Sequence, residues 1–182
     1  MVMESQTLFS AENRVAPLGI ISLAGAQELS RKVEAHLVRW AKLAGLDYDT
    51  FLIESGCPRF SSGDGKGMIK STVRGYDLFF IVDVGNYSLT YNYFGQENRM
   101  SPDDHYQDLK RLIQAASGKA HRVNVVMPLL YGGRQHRRSY RESLDCAYML
   151  QELQHMGVSN LLTFDAHDPR VQNACRSWAS TT

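Results

Sequence analysis

The sequence predicts an α/β domain in which a parallel sheet is covered by helices on both faces. Short runs of β-branched and aromatic residues, such as residues 78–82 and 123–127, indicate buried strands. Segments with apolar residues at three- and four-residue steps alternate with these runs, which indicates helical connections between parallel strands. The 182 residues are enough for one domain with a sizeable core.

Composition argues against several classes of protein. Lys and Arg number 20 against 19 Asp and Glu, so the chain has no overall basic surface for nucleic acid. Cys57, Cys146 and Cys175 are widely spaced, which favours neither a disulfide framework nor a zinc site. The chain has no apolar run of ~20 residues and no basic secretory leader. We therefore expect a soluble cytoplasmic protein that binds neither membrane nor nucleic acid.

Strands and helices are predicted in alternation along the chain, after a loose lead-in over residues 1–17. The glycine-rich residues 59–67 do not match the spacing of a nucleotide-binding loop, so a hairpin turn is predicted there. The predicted strands cover residues 18–24, 50–53, 68–70, 78–82, 123–127 and 160–164. The predicted helices cover residues 26–44, 101–117 and a segment from Ser139 or Ser143 to Leu153, with Leu144, Ala147, Tyr148 and Leu150 facing inward.

The middle helix is preceded by an irregular segment and begins with a polar motif. Residues 85–100 are rich in Tyr, Asn and Gly without a clear period, and a long surface loop is predicted. Ser101 is the expected N-cap of the helix, followed by Pro102, Asp103 and Asp104 in its first turn. With His105 the two aspartates could also form a metal site, but helix-start chemistry accounts for them fully.

A basic loop follows the strand over residues 123–127. Gly132-Gly133 leads into Arg134, Arg137 and Arg138, with Arg141 close behind. Guanidinium groups stay ionised and are rarely buried unless paired, and their forks match phosphate oxygens. The loop is therefore either a polyphosphate clamp at the carboxyl edge of the sheet or a solvated basic loop.

The next strand also ends in a polar loop, which contains Asp165, His167 and Asp168. An imidazole beside carboxylates can ligate Mg²⁺, which normally binds through one or two protein groups together with substrate phosphates. Alternatively, these residues only hydrogen-bond their own loop. A metal next to a phosphate clamp would suit phosphoryl transfer, in which positioning and charge neutralisation supply most of the rate.

These motifs together resemble the N-terminal half of ribose-phosphate pyrophosphokinase, also called phosphoribosyl pyrophosphate synthetase. The similarity extends over about residues 19–174, and the corresponding domain is placed at residues 18–174. The order of the motifs along the chain is a specific signal for this family, whereas each motif alone is a weak one. The matching motifs are Arg59-Phe60-Ser61 with Gly63-Asp64, Val73-Arg74-Gly75, Asp108 to Arg111, Pro128 with Tyr131-Gly132, Arg134-Gln135 with Arg137-Arg138, Arg141-Glu142, and Thr163 to His167.

The resemblance implies a type I phosphoribosyltransferase-like fold and an oligomeric enzyme. Such an enzyme transfers the pyrophosphoryl group of ATP to ribose 5-phosphate, giving phosphoribosyl pyrophosphate and AMP. Three sets of residues acquire roles by this resemblance. Arg134, Gln135 and His136 would lie against the ATP triphosphate; His167, with Asp165 as a second ligand, would bind Mg²⁺; and Phe60, Ser62 and Asp64 would contact the adenine, often that of a neighbouring subunit.

Several features depart from the family pattern. Ser62-Gly63-Asp64 stands where members commonly have Asp-Gly-Glu, His136 stands where many have Asp, and residues 86–100 form a longer excursion than usual. A non-catalytic regulatory or scaffold subunit of the same family is therefore the alternative.

The end of the chain does not resemble the family's second domain, which carries the ribose 5-phosphate loop. The chain alone is therefore expected to have little synthetase activity, with its catalytic residues in the absent half. Residues 174–182 can be encoded by codons that, when read in a second frame, give a Gly-Phe-Asp-Asn continuation. This continuation is similar to the one in a divergent branch of the family. We therefore expect residues 175–182 to be a disordered out-of-frame tail.

Overall fold

A computed structural model describes residue 9 and residues 15–116, 118–164 and 166–175. The predicted lead-in and tail lie mostly outside these residues. The strands are β1 (Leu18–Ser22), β2 (Ser55–Gly56), β3 (Met68–Ile69), β4 (Asp77–Ile81), β5 (Thr90–Tyr93), β6 (Gln96–Arg99), β7 (Arg122–Val126) and β8 (Val158–Leu162). The helices are α1 (Gln27–Leu43), α2 (Pro102–Ala116) and α3 (Asp145–His155), with 3₁₀ turns at Ala24–Ala26 and Pro169–Ala174.

The predicted parallel sheet is confirmed, with its strands in the order β1-β4-β7-β8. Beyond β1, the predicted strand over residues 50–53 is reduced to one parallel bridge between Leu52 and Ile20. The backbone N–H of Phe51, which would extend this ladder, donates instead to the Glu34 carboxylate of α1 at 3.0 Å. Parallel strands end at a common edge, so the loops after β1, β4, β7 and β8 lie together.

Helices cover both faces of the sheet, as predicted. On one face, α1 packs against Ile20 and Ile81. On the other face, α2 and α3 pack against Leu78 and Phe80. Neighbouring residues on a strand point to opposite faces, so the apolar runs in β1 and β4 supply both layers of core.

Two predicted elements are shifted. The third helix begins at Asp145, later than Ser139 or Ser143, because Leu144 has backbone angles outside the helical region and residues 139–144 continue the basic loop. Tyr148, predicted to face inward, is 61% exposed. The last strand begins at Val158 and ends at Leu162, which leaves Phe164 in the loop and 71% exposed.

The predictions for the two irregular segments had opposite outcomes. The hairpin predicted over residues 59–67 is confirmed by the antiparallel pair β2–β3 and the bridge between Arg59 and Gly65. Residues 85–100 were wrongly predicted as a loop without regular structure, since β5 and β6 form an antiparallel hairpin within them. Neither strand buries a face in the core, so the sequence shows no alternation of apolar and polar residues.

The cysteines are structural. All three are free, and Cys146 and Cys175 are buried in the larger core. Cys175 is the first residue of the segment predicted to be an out-of-frame tail, and that prediction stays a prediction. Burial raises the pKa of Cys57 to about 12 and that of Cys146 to about 11, so both thiols are held in the unreactive protonated form. Among the described residues, no helix is long and apolar enough to cross a membrane.

Candidate functional site

The loops that follow β7 and β8 meet at one cavity of about 550 Å³ at the carboxyl edge of the sheet. Arg134 and Gln135 line it from the loop after β7, and His167 lines it from the loop after β8. Leu130 and Tyr131 also line this cavity. The structure therefore brings together three of the residues that the sequence places in the site, although their roles in binding stay predictions.

Two glycines shape the basic loop. Gly132 has a φ of +63°, a left-handed conformation that favours glycine, and a side chain there would lie 3.2 Å from the Cys146 backbone nitrogen. Two consecutive turns follow, in which the Gly133 N–H donates to the Leu130 carbonyl at 3.1 Å and the Gln135 N–H donates to the Gly132 carbonyl at 2.7 Å. This tight path against the start of α3 directs Arg134 to the cavity.

The arginines of this loop have no carboxylate partner among the described residues, in contrast to four arginines elsewhere in the chain. Elsewhere, Arg59 and Arg111 pair with Asp108, Arg122 pairs with Asp77, and Arg170 pairs with Asp168. Among the residues that the structure describes, no ion pair engages Arg134, Arg137, Arg138 or Arg141. These guanidinium groups are exposed and free to bind an anion.

His136 has a different position from its two neighbours. Its Nε2 lies 3.3 Å from the Asp168 carboxylate, which ties the loop after β7 to the loop after β8. Arg170 contacts the same carboxylate at 2.6 Å, and hydrogen bonds from the Arg170 side chain and backbone lower the pKa of Asp168. The Nδ1 atom of His136 is buried without a hydrogen-bond partner among the described residues. His136 thus connects two loops, and His136 is not among the residues that line the cavity.

Replacing His136 with Asp, the residue common in the family, should loosen this connection. A carboxylate at position 136 could not make the contact of the imidazole with Asp168 and would place a second negative charge near it, and like charges repel. We expect His136→Asp to lower the melting temperature by about 2–4 °C, as for a loss of about 1 kcal/mol in a protein of this size. His136→Gln, which can still donate a hydrogen bond, is the matched control, and equal melting temperatures for the two variants would contradict the prediction.

A polar wall beside the cavity was missed by the sequence analysis. The Tyr131 hydroxyl donates to Asp103 at 2.6 Å, and burial together with this bond raises the pKa of Tyr131 to about 12. The Tyr131 ring stacks on Tyr106 at 4.6 Å, and the Tyr106 hydroxyl donates to Glu152 at 2.7 Å. The sequence contained one clue to this wall. The helix that contains Asp103 follows β4, so its first turn lies at the same edge of the sheet as the basic loop.

Helix-start chemistry explains the rest of the Asp-Asp-His motif. Ser101 and Asp104 cap α2 reciprocally, with the Ser101 N–H donating to the Asp104 carboxylate at 2.9 Å and the Asp104 N–H donating to the Ser101 hydroxyl at 3.2 Å. His105 is buried, and its Nε2 lies 2.6 Å from the Asn86 carbonyl oxygen. Asp103 alone among these residues lines the cavity.

The donor set at the cavity suits a metal ion that arrives with a phosphate ligand. Within the described part of the chain, no three His, Cys, Asp or Glu side chains cluster as a metal-binding group. The predicted ligand Asp165 lies outside the described residues, and Asp168 is engaged by Arg170. His167 offers an exposed imidazole at the cavity, with its ring centre 5.3 Å from that of His136. Mg²⁺ usually binds through one or two protein carboxylates together with substrate phosphates, and the carboxylates of Asp103 and Asp145 line the same cavity.

The predicted adenine loop lies elsewhere in the chain. Phe60, Ser62 and Asp64 belong to the β2–β3 hairpin, and none of them lines the cavity that contains Arg134. Phe60 is 57% exposed, and the Ser62 hydroxyl donates to the Asp64 carboxylate at 2.8 Å. The loop is anchored at its base by the paired hydrogen bonds of Arg59 to Asp108, at 2.7 and 3.0 Å.

Known proteins and one family model are similar to most of this chain. A family model described as the N-terminal domain of ribose phosphate pyrophosphokinase matches residues 18–157. A ribose-phosphate pyrophosphokinase of Corynebacterium ammoniagenes is 24% identical over 157 residues, which are 85% of this chain and 42% of that protein. The Bacillus caldolyticus enzyme of the same name is 28% identical over 116 residues, which are 63% of this chain and 32% of that protein.

The fold is that of a solved relative. The crystal structure of phosphoribosylpyrophosphate synthetase from Mycobacterium smegmatis superposes with a TM-score of 0.68 at 17% identity, over 89% of this chain and 47% of that one. This likeness confirms the predicted type I phosphoribosyltransferase-like fold. The chain spans about a third to two fifths of the length of the curated relatives it matches. With more than half of its residues matched by the family model, this chain belongs to the family of the N-terminal domain of ribose-phosphate pyrophosphokinase.

Proposed function

We propose that this chain is the ATP- and Mg²⁺-binding half of a ribose-phosphate diphosphokinase, which gives phosphoribosyl pyrophosphate and AMP. The observation that carries the proposal is that Arg134 and Gln135, after β7, and His167, after β8, line one cavity. Its volume of about 550 Å³ lies within the range of ordinary ligand sites. Two adjacent strand ends thus offer a cation and an imidazole to the same ligand.

In this proposal, the basic loop holds the triphosphate. Arg134 has no carboxylate partner among the described residues, so its guanidinium can donate two parallel hydrogen bonds to phosphate oxygens without breaking an ion pair. Gln135 is oriented by the Ser143 hydroxyl, which donates to its side-chain oxygen at 3.1 Å. This bond leaves the Gln135 amide N–H₂ free to donate to a phosphate.

His167 would hold Mg²⁺ together with the phosphates. The carboxylates of Asp103 and Asp145 also line the cavity, and their charge suits a cation-bound triphosphate better than a bare one. When bound, the metal supplies charge neutralisation at the transferred group. The protein residues position the triphosphate so that the anomeric hydroxyl of ribose 5-phosphate can attack the β-phosphorus while AMP leaves.

The rest of the active site would come from a neighbouring copy of the chain and from the second half of a complete family member. We propose that residues 60–64 contact the adenine. This loop does not line the cavity of its own chain, so in a homo-oligomer it would reach the cavity of a neighbouring copy. Groups for ribose 5-phosphate are expected in the second half of a complete family member. The 182 residues by themselves should therefore turn over little substrate.

Calorimetric titration of the full chain with ATP, in the presence of Mg²⁺ and in the presence of EDTA, tests the proposal. Wild-type protein should bind ATP more tightly with Mg²⁺, and His167→Ala should lose most of that increment while keeping the affinity measured in EDTA. Mutation of a residue that orients a metal ligand typically lowers metal affinity 10–100-fold, and loss of the ligand itself should lower it at least as much. We therefore expect His167→Ala to lower the affinity for ATP in Mg²⁺ about tenfold.

His155→Ala serves as the control, because His155 is exposed at the last turn of α3, where its Nδ1 lies 2.7 Å from the Gln151 carbonyl oxygen. It should bind ATP as the wild type does under both conditions. The same dependence on Mg²⁺ in His167→Ala as in the wild type would remove the proposed metal site.

A further inference from the structure

The tip of the β5–β6 hairpin presents an exposed aromatic residue in a strained conformation. Two residues, Phe94 and Gly95, connect the strands, with φ values of +47° and +81°. Positive φ at both central residues is the mark of a type I′ turn, in which Asn-Gly is the preferred pair. Phe94 is the single described residue other than glycine with positive φ. Phenylalanine has no polar side chain to offset that conformation.

Nothing in the core requires an aromatic residue at this tip. Phe94 is 70% exposed, and its ring makes one edge contact with Tyr93, at 4.9 Å between ring centres. Asn92 already supplies the local hydrogen bond of the turn, since its side-chain oxygen accepts from the Gly95 N–H at 2.8 Å. Backbone strain that burial does not explain is a sign of a functional constraint.

The same tip is seated on the predicted adenine loop. The Phe94 N–H donates to the Ser61 carbonyl at 2.9 Å. A side chain at Gly63, whose φ is +85°, would come within 2.8 Å of the Tyr93 ring. Phe60, next to Ser61 in that loop, is 57% exposed. Two exposed phenyl rings thus stand on two bonded loops, with neither ring packed into the core.

We propose that Phe94 contacts the nucleobase of the bound nucleoside triphosphate, beside Phe60. Exposed aromatic rings held on a rigid backbone are suited to stack on a flat base. The bond to Ser61 fixes the tip relative to the adenine loop, so the longer excursion in this chain extends the aromatic surface of that loop. This inference rests on the proposed function, because it concerns the base end of the same nucleotide.

Comparing ATP with inorganic tripolyphosphate, which has no base, tests the proposal on the full chain. Phe94→Asn should weaken ATP binding about tenfold, as for the loss of one stacking contact, and change tripolyphosphate binding by less than twofold. The same variant should melt about 2–4 °C higher, because Asn-Gly suits a type I′ turn. Phe94→Tyr should restore ATP binding, and Tyr148→Asn, at an exposed aromatic on α3, should leave the ratio of the two affinities unchanged.

The outcomes separate this inference from the proposed function. An unchanged ratio of ATP to tripolyphosphate affinity in Phe94→Asn would overturn the inference while the phosphate site stands. Equal loss of both ligands, accompanied by a smaller particle in sedimentation, would assign Phe94 to contacts between copies and also overturn it. Failure of the wild type to bind either ligand would overturn both.

Discussion

Asp108→Ala should be among the most destabilising single substitutions in this protein, with a loss of about 3–5 kcal/mol in the free energy of unfolding. The Asp108 carboxylate is 10% exposed and accepts from Arg59 at 2.7 and 3.0 Å and from Arg111 at 2.8 Å. Removing it takes the closest counter-charge from two largely buried guanidinium groups, and leaves Arg59 with the more distant Asp104, at 3.8 Å. The hairpin that contains the predicted adenine loop would also lose its anchor to α2.

Chemical denaturation of wild type and variant measures this effect, with Glu28→Ala as the control. Glu28 forms an exposed ion pair with Lys32 on α1, and such exposed pairs contribute little to stability. Adding Arg59→Met to Asp108→Ala should recover part of the loss, since one unpaired charge is then removed. A loss no larger than that of Glu28→Ala would contradict the role of Asp108.

Arg134→Ala is expected to weaken triphosphate binding by about 10–100-fold. The estimate follows from about 1.5–3 kcal/mol for hydrogen bonds to a charged group. Because Arg134 has no carboxylate partner in the described part of the chain, its removal should leave the melting temperature of the free protein unchanged. Loss of affinity without loss of stability would separate a ligand-binding arginine from a structural one.

Titration with inorganic tripolyphosphate and ATP measures this prediction, and Arg39→Ala provides the control. Arg39 is exposed on α1, where it lies 3.2 Å from His36 and away from the cavity. If Arg134→Ala binds both ligands as tightly as Arg39→Ala does, the phosphate clamp is disproved.

Much of the architecture could be predicted because it depends on local patterns. The apolar runs in β4 and β7 are too short for helices, and the capping residues Ser101 and Asp104 mark the start of α2. In the candidate site, the sequence indicated that Arg134 and His167 follow neighbouring strands. The parallel arrangement then requires that they lie at one edge of the sheet, and the cavity contains both.

Other features could not be predicted because they depend on partners distant in sequence. The β5–β6 hairpin buries no face, so it has no hydrophobic period to detect. Asp103 has the same chemistry as Asp104, yet only Asp103 meets Tyr131 across the cavity wall. Cys175 packs against the core because the 3₁₀ turn at Pro169–Ala174 returns the chain to α3.

By itself, the sequence determined the parallel α/β layers, the order of the loops and the chemical groups that each loop carries. Only the tertiary structure decided how those groups are used: Arg134 lines a cavity without an ion-pair partner among the described residues, whereas His136, two residues later, is held by Asp168. The physical reason is that periodicity fixes which side of an element is buried, while charge pairing depends on which loops the folded sheet brings within a few ångströms.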